Sequence, residues 1–128
     1  VLFFHKGAVM KKQNYREVKA IAAAPGVKMH IVAGTDEGAP TFVMRVFEIE
    51  PGRNTPHHTH PWEHEMFVIE GDGILKSDDK NIPIKAGDTM MVLPNEKHGV
   101  FNTGKDILTM ICVVPLVDGK MPGMPATE

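Results

Sequence analysis

A single cysteine in 128 residues rules out an internal disulfide, and with it the framework of a small oxidised scaffold. That residue, Cys112, lies within the apolar run from Ile107 to Val114 and reads as a buried small hydrophobe rather than a nucleophile. Excess charge of one sign is also missing. The formal net charge is -2 with the signs interspersed, and there is neither an acidic tail nor a basic arm. Nucleic acid and anionic membrane surfaces are therefore not expected partners. No apolar run approaches the length of a transmembrane helix, and the opening Val-Leu-Phe-Phe is too short and poorly flanked for a signal peptide. The expected location is cytoplasmic. Residues 1–9 are set aside as an added or processed end, with Met10 a candidate natural start. No internal repeat explains the chain, and the one low-complexity stretch is Ala22-Ala23-Ala24.

What is present is a series of short apolar or alternating runs separated by Gly, Asp, Asn and Pro. Tyr15 to Ile21 alternates as an exposed or swapped strand would, with a short helix as the alternative. Pro25-Gly26 turns the chain into Val27–Val32, where Lys28 and His30 fall on the polar face and His30 reads as a solvated histidine. Thr41–Ile49 is a strand stopped by Pro51-Gly52. Gly71-Asp72-Gly73 predicts a hairpin between Val68-Ile69 and Ile74-Leu75. Short strands follow at Ile82–Ile84, Thr89–Leu93 and His98–Asn102, and Ile107–Val114 is apolar enough to demand cover on both faces. No long helix is indicated. The expectation is an all-β fold, an antiparallel sandwich or barrel. It consists of an N-terminal arm over 1–14, a barrel over 15–114 and an irregular tail over 115–128 that packs on the barrel or frays. This length suffices for one domain with its own core.

The most informative stretch is Gly52 to Gly71, GRNTPHHTHPWEHEMFVIEG, which places four of the seven histidines within eight positions. In a strand, His58 and His60 share one face, while His57 and Thr59 take the other, so His57 reads as a rim or surface residue. Pro61 breaks that strand, Trp62-Glu63 carry the turn, and His64 opens the returning run, so a third imidazole reaches the same spot. Trp62 reads as a pocket wall or as cover for the barrel mouth. If His64 faces inward, Met66 and Val68 do too, leaving Phe67 and Ile69 outward and in need of a cover. Convergent neutral imidazoles are ligands for a transition metal, and without one they would lack partners in an apolar interior. His98, in a strand-like context far along the chain, can complete the set in a closed barrel.

Two motifs in register carry a resemblance to the cupin superfamily. Gly52, His58, His60, His64 and Gly71 fit G-x5-H-x-H-x3-E-x6-G, with His64 where that motif has glutamate. Gly87, His98 and Asn102 fit G-x5-P-x-G-x2-H-x3-N, with Leu93 and Asn95 replacing its proline and second glycine. The chain thus resembles small single-domain cupins of the four-histidine kind. The resemblance implies a jelly-roll β-barrel holding one divalent metal (Mn, Fe, Ni, Cu or Zn) on His58, His60, His64 and His98. Glu65 is the alternative fourth ligand through a bulge, since alternation lets only one of His64 and Glu65 face inward. The expected activity is that of a metal-dependent, dioxygenase-like oxidoreductase acting on a small molecule such as a carboxylate or diketone. The alternative is a non-catalytic module that binds or senses a metal and a small ligand. A homodimer covering Phe67 and Ile69 is expected.

Overall fold

The computed structural model describes residues 10–123, so the expectation for residues 1–9 and that for the end of the tail lie outside the described residues. Among the described residues are nine strands and two short 3-10 turns. The strands are β1 (Ile21–Ala24), β2 (Val27–Ala33), β3 (Phe42–Ile49), β4 (His64–Glu70), β5 (Asp72–Lys76), β6 (Asn81–Lys85), β7 (Thr89–Val92), β8 (Gly99–Asn102) and β9 (Leu108–Pro115). All pairings are antiparallel. One sheet runs β1-β2-β3-β9-β4-β7 and the other β6-β5-β8. The free edge of β8 is extended by the segment 53–58, through bridges Asn54–Phe101 and His58–His98. The expected all-β antiparallel jelly roll is what forms.

The core lies between the sheets and follows the alternation of the strands. Ile49, Val68, Val100, Leu108, Met110 and Val114 are almost completely buried, each contributing about 1.5–3 kcal/mol by its removal from water. In β4 the expected parity appears: His64, Met66 and Val68 are buried, while Glu65, Phe67 and Ile69 are exposed. β9 departs from expectation. Its inward residues are buried, but Ile111 and Val113 on the outer face are only half-buried, so cover on that side is incomplete.

Three local expectations are corrected. Tyr15 to Ile21 is not a strand: Tyr15–Glu17 is a 3-10 turn capped by the Asn14 side chain, and the edge strand begins only at Ile21. The Gly71-Asp72-Gly73 turn does not close a hairpin, because β4 pairs with β7 and β9 whereas β5 pairs with β6 and β8. The chain crosses between sheets there. Gly71 has φ +99°, and an added Cβ would lie 2.8 Å from the Ile107 carbonyl oxygen and Leu108 Cα; at Gly73 it would lie 2.3 Å from the Phe101 carbonyl oxygen. The glycines therefore serve a crossing pressed against neighbouring backbone, a use that local sequence does not distinguish from a turn. His30, expected in solvent, is buried. Its Nδ1 lies 2.7 Å from the Val18 carbonyl oxygen, its Nε2 2.9 Å from Glu48 Oε1, and Tyr15 packs edge-on against its ring. The segment before β1 folds back to cover it.

Candidate metal centre

The two histidine-bearing stretches meet because they are cross-strand neighbours. Residues 53–58 run antiparallel to β8. Asn102 donates to the Arg53 carbonyl at 2.9 Å, Thr55 to the Val100 carbonyl at 2.9 Å, and His58 and His98 exchange both backbone hydrogen bonds at 3.0 Å. Pro56 and Pro61 keep the segment from becoming a regular strand. Asn102 anchors the far end: its Nδ2 donates to the Ile49 and Asp106 carbonyls at 2.7 and 2.8 Å, and its Oδ1 accepts from Gly104 N at 2.9 Å. Asn95 adopts φ +71°, and its N–H donates to the His60 carbonyl at 2.8 Å. Asparagine is among the few residues that tolerate that conformation, which accounts for its standing where the motif has glycine.

The side chains of His58, His60, His64 and His98 converge, with their ligand atoms within 4.8 Å of one another, an arrangement that could hold a metal ion. Glu65 points to the exposed outer face and is not among them. His57 also lies apart, half-buried and edge-on to Phe101. Each ring of the cluster except the exposed His58 is oriented by a partner. His60 Nδ1 donates to the Trp62 carbonyl at 2.8 Å and His98 Nδ1 to the Glu96 carbonyl at 2.8 Å, which leaves both Nε2 atoms as free donors of a lone pair. The Trp62 ring stacks on His60 at 4.1 Å and 5°. Trp62 is thus a wall of the cavity.

The donor set fits a metal. Two cis imidazole nitrogens, each about 2.05 Å from an ion, lie about 2.9 Å apart, and His60 Nε2 and His64 Nε2 are 2.7 Å apart. The rings are also held neutral, as ligands must be. Burial lowers the pKa of His58, with His98 and His57 adding to the effect. Burial and His98 lower that of His60 against the opposing bond to the Trp62 carbonyl. Burial likewise lowers His98, opposed by its bond to the Glu96 carbonyl. His64 falls furthest, to about 2, through burial first, then the Arg45 guanidinium and the other imidazoles.

Behind His64 lie two groups whose part in the site the sequence reading did not assign. Cys112 is buried as expected, but its Sγ lies 2.9 Å from His64 Nδ1 and 2.9 Å from Arg45 Nη2. Burial pushes its thiol pKa up, against the pull of Arg45. Arg45 is 6% exposed, and its Nη1 reaches only the Met29 sulfur at 3.8 Å. Its Nε is buried without a partner, and among the described residues no carboxylate pairs with it. A cation–π contact with Phe47 at 5.0 Å offsets about 0.5–2 kcal/mol, whereas an uncompensated buried ion costs several kcal/mol. The signal was legible: Arg45 shares the parity of Val43, Phe47 and Ile49 on β3 and so had to face inward.

These residues surround a cavity of about 110 Å³ lined by the four histidines, Arg45, Cys112, Trp62, apolar side chains that include Met29, Met66 and Met110, and the tail residues Met121, Pro122 and Gly123. The early tail therefore packs on the barrel. Among the described residues no carboxylate lines this cavity.

Among known proteins, an oxalate-binding protein of Thermotoga maritima is 32% identical over 71 residues, 55% of this chain and 59% of that protein. The chain spans between about half and three-fifths of the curated relatives it matches. The polyketide cyclase RemF of Streptomyces resistomycificus superposes with a TM-score of 0.77 at 29% identity, covering 84% of this chain and 80% of that one. A sugar phosphate isomerase of Silicibacter pomeroyi gives 0.75 at 20% identity over 83% and 76%, a likeness of fold. The cupin domain family, of the cupin 2 type, matches residues 45–114, more than half of the chain and the whole of the histidine constellation, and the protein belongs to that family.

Proposed function

We propose that His58, His60, His64 and His98 hold one divalent transition metal, and that the chain is a small metal-dependent oxidoreductase, dioxygenase-like, acting on a small molecule in the adjoining cavity. The observation that carries this reading is the cavity wall: four convergent imidazoles, a largely apolar remainder that includes Arg45, and no carboxylate among the described residues. A metal held there supplies Lewis acidity to oxygen atoms of the ligand and, when redox-active, a route for electrons.

The chain's own residues do the rest. The Trp62 and Glu96 carbonyls hold His60 and His98 in one tautomer and one orientation. Met29, Met66, Phe47 and Met110 give a soft apolar wall that excludes bulk water and strengthens electrostatic interactions inside. His58 is exposed, so the cluster meets solvent on its side. With no carboxylate in the wall, a proton shuttle of the epimerase kind has little support. The outer sheet face, where Met44, Phe67 and Met91 are exposed beside half-buried Ile111 and Val113, supports a second copy of the chain as its cover.

A second reading is favoured by the likeness to a polyketide cyclase: the same site would close a ring on a polyketone by Lewis acidity alone. The test is metal analysis of untagged protein, followed by reconstitution with Fe(II), Mn(II), Ni(II), Cu(II) or Zn(II) against diketones, phenols and small acids, with and without oxygen. About one metal per chain with metal-dependent oxygen uptake supports the oxidoreductase. Conversion without oxygen supports the cyclase-like reading. Ligand binding without conversion leaves a binding module, the role suggested by the name of the oxalate-binding relative, and absence of metal overturns the site.

A further inference from the structure

We propose that Arg45 is the anchor for an anionic ligand, and that the cavity takes a small carboxylic acid whose carboxylate pairs with this guanidinium. The inference rests on the reading of the cavity as the binding site. Arg45 lines that cavity from the central strand β3, between Val43 and Phe47 on the inward face, and among the described residues is its one charged side chain apart from the histidines. Its immediate partners are a thiol, a thioether and an imidazole, none of which carries the negative charge that a guanidinium removed from water requires. Its buried Nε–H has no acceptor at all. A guanidinium presents donors in a planar fork that matches two carboxylate oxygens, so one ligand carboxylate would supply the missing charge. No other side chain of the wall offers this match. The four imidazoles are neutral and face one another, and apart from the Thr55 hydroxyl and the Cys112 thiol the remaining wall is apolar. Arg45 would therefore add to the metal a second, directional preference for a negatively charged ligand.

The experiment uses zinc-loaded protein, in which no redox turnover consumes the ligand, with pyruvate as probe and pyruvamide as its uncharged counterpart. Trp62 is the single tryptophan and lines the cavity, so its fluorescence reports occupancy, with calorimetry as the second readout. Wild type is expected to bind pyruvate about tenfold or more tighter than pyruvamide, as a charge-assisted pair warrants. In Arg45→Met that preference is expected to fall by about tenfold, to what zinc alone provides, while zinc stays at one per chain. Equal binding of the two probes by wild type, or a preference undiminished in Arg45→Met, overturns the proposal. Should Arg45→Met fail to fold, Arg45→Gln and the wild-type comparison decide on the same criteria. Loss of zinc binding in wild type would instead strike the metal reading, and the preference for pyruvate in metal-free protein would still test Arg45.

Discussion

His58 and His98 face each other as direct cross-strand partners, exchanging both backbone hydrogen bonds at 3.0 Å with ring centroids 5.2 Å apart. That one antiparallel bridge joins stretches separated by forty residues, and it brings the histidine of the second motif to the cluster of the first. Removing a side chain from such a bridge leaves the backbone bonds in place, so the cluster can be altered without dismantling the barrel.

Substitutions at neighbouring positions of β4 are expected to separate ligand from bystander. His64→Glu should change metal preference while the fold survives, because an anionic oxygen donor replaces a neutral nitrogen. Glu65→Ala, on the outer face, should leave metal content and selectivity as they are. Metal analysis and competitive loading of the two variants check this, and a change in selectivity in Glu65→Ala would count against the assignment.

Cys112→Ala removes the sulfur 2.9 Å from His64 Nδ1. Loss of a partner that orients a ligating histidine weakens metal affinity by roughly 10–100-fold. Chelator competition measures it, and an unchanged affinity would show that Cys112 does not orient the ring.

Acid is expected to destabilise the metal-free protein. His58, His60, His64 and His98 all have folded-state pKa values below the ordinary 6.5, with burial the first cause of each. Below about pH 6.5 the unfolded chain therefore binds more protons than the folded one, and stability falls as the pH drops. For His64 the decline continues toward its folded value of about 2. Thermal melts of metal-free protein between pH 7.5 and 5 should show a falling midpoint, and a flat profile would contradict the burial of the cluster.

Gly71→Ala is expected to destabilise the fold by about 1–3 kcal/mol, since φ is +99° and the new Cβ would press on the backbone of Ile107 and Leu108. Urea denaturation with an unchanged slope would read this directly. A neutral result would mean the crossing can relax.

Phe67→Lys places a charge in the exposed apolar face of β4. If a second copy covers that face, sedimentation should show a dimer for wild type and a monomer for the variant, with metal content intact. A wild-type monomer would refute the proposed assembly.

Much of the fold was legible because strand alternation is a local property. Alternation along β4 sets His64, Met66 and Val68 against Glu65, Phe67 and Ile69, so that one of His64 and Glu65 faces inward; the motif spacing to Gly71 favours His64, and the burial of His64 in the folded chain places it on the inner face. The same rule held the answer for Arg45, whose neighbours Val43 and Phe47 mark it as inward-facing, but a charged residue in an apolar strand draws less notice than a histidine cluster. The burial of His30 is not legible from alternation. Parity placed it correctly on the outer face of β2, yet whether that face is wet depends on Tyr15 and Val18 folding across it.

By itself, then, the sequence determined the all-β class and the two motifs, because each follows from period-two alternation and fixed spacing along one chain, and it narrowed the convergent set to His58, His60, His98 and one of His64 and Glu65. Only the tertiary structure decided that the glycines at 71 and 73 carry a crossing between sheets, that Cys112 and Arg45 stand behind His64, and that no carboxylate among the described residues reaches the cavity. Those facts depend on which strands become neighbours across the barrel. Pairing of that kind is set by closure of the whole sheet and the burial it achieves, and it has no signature in any single segment.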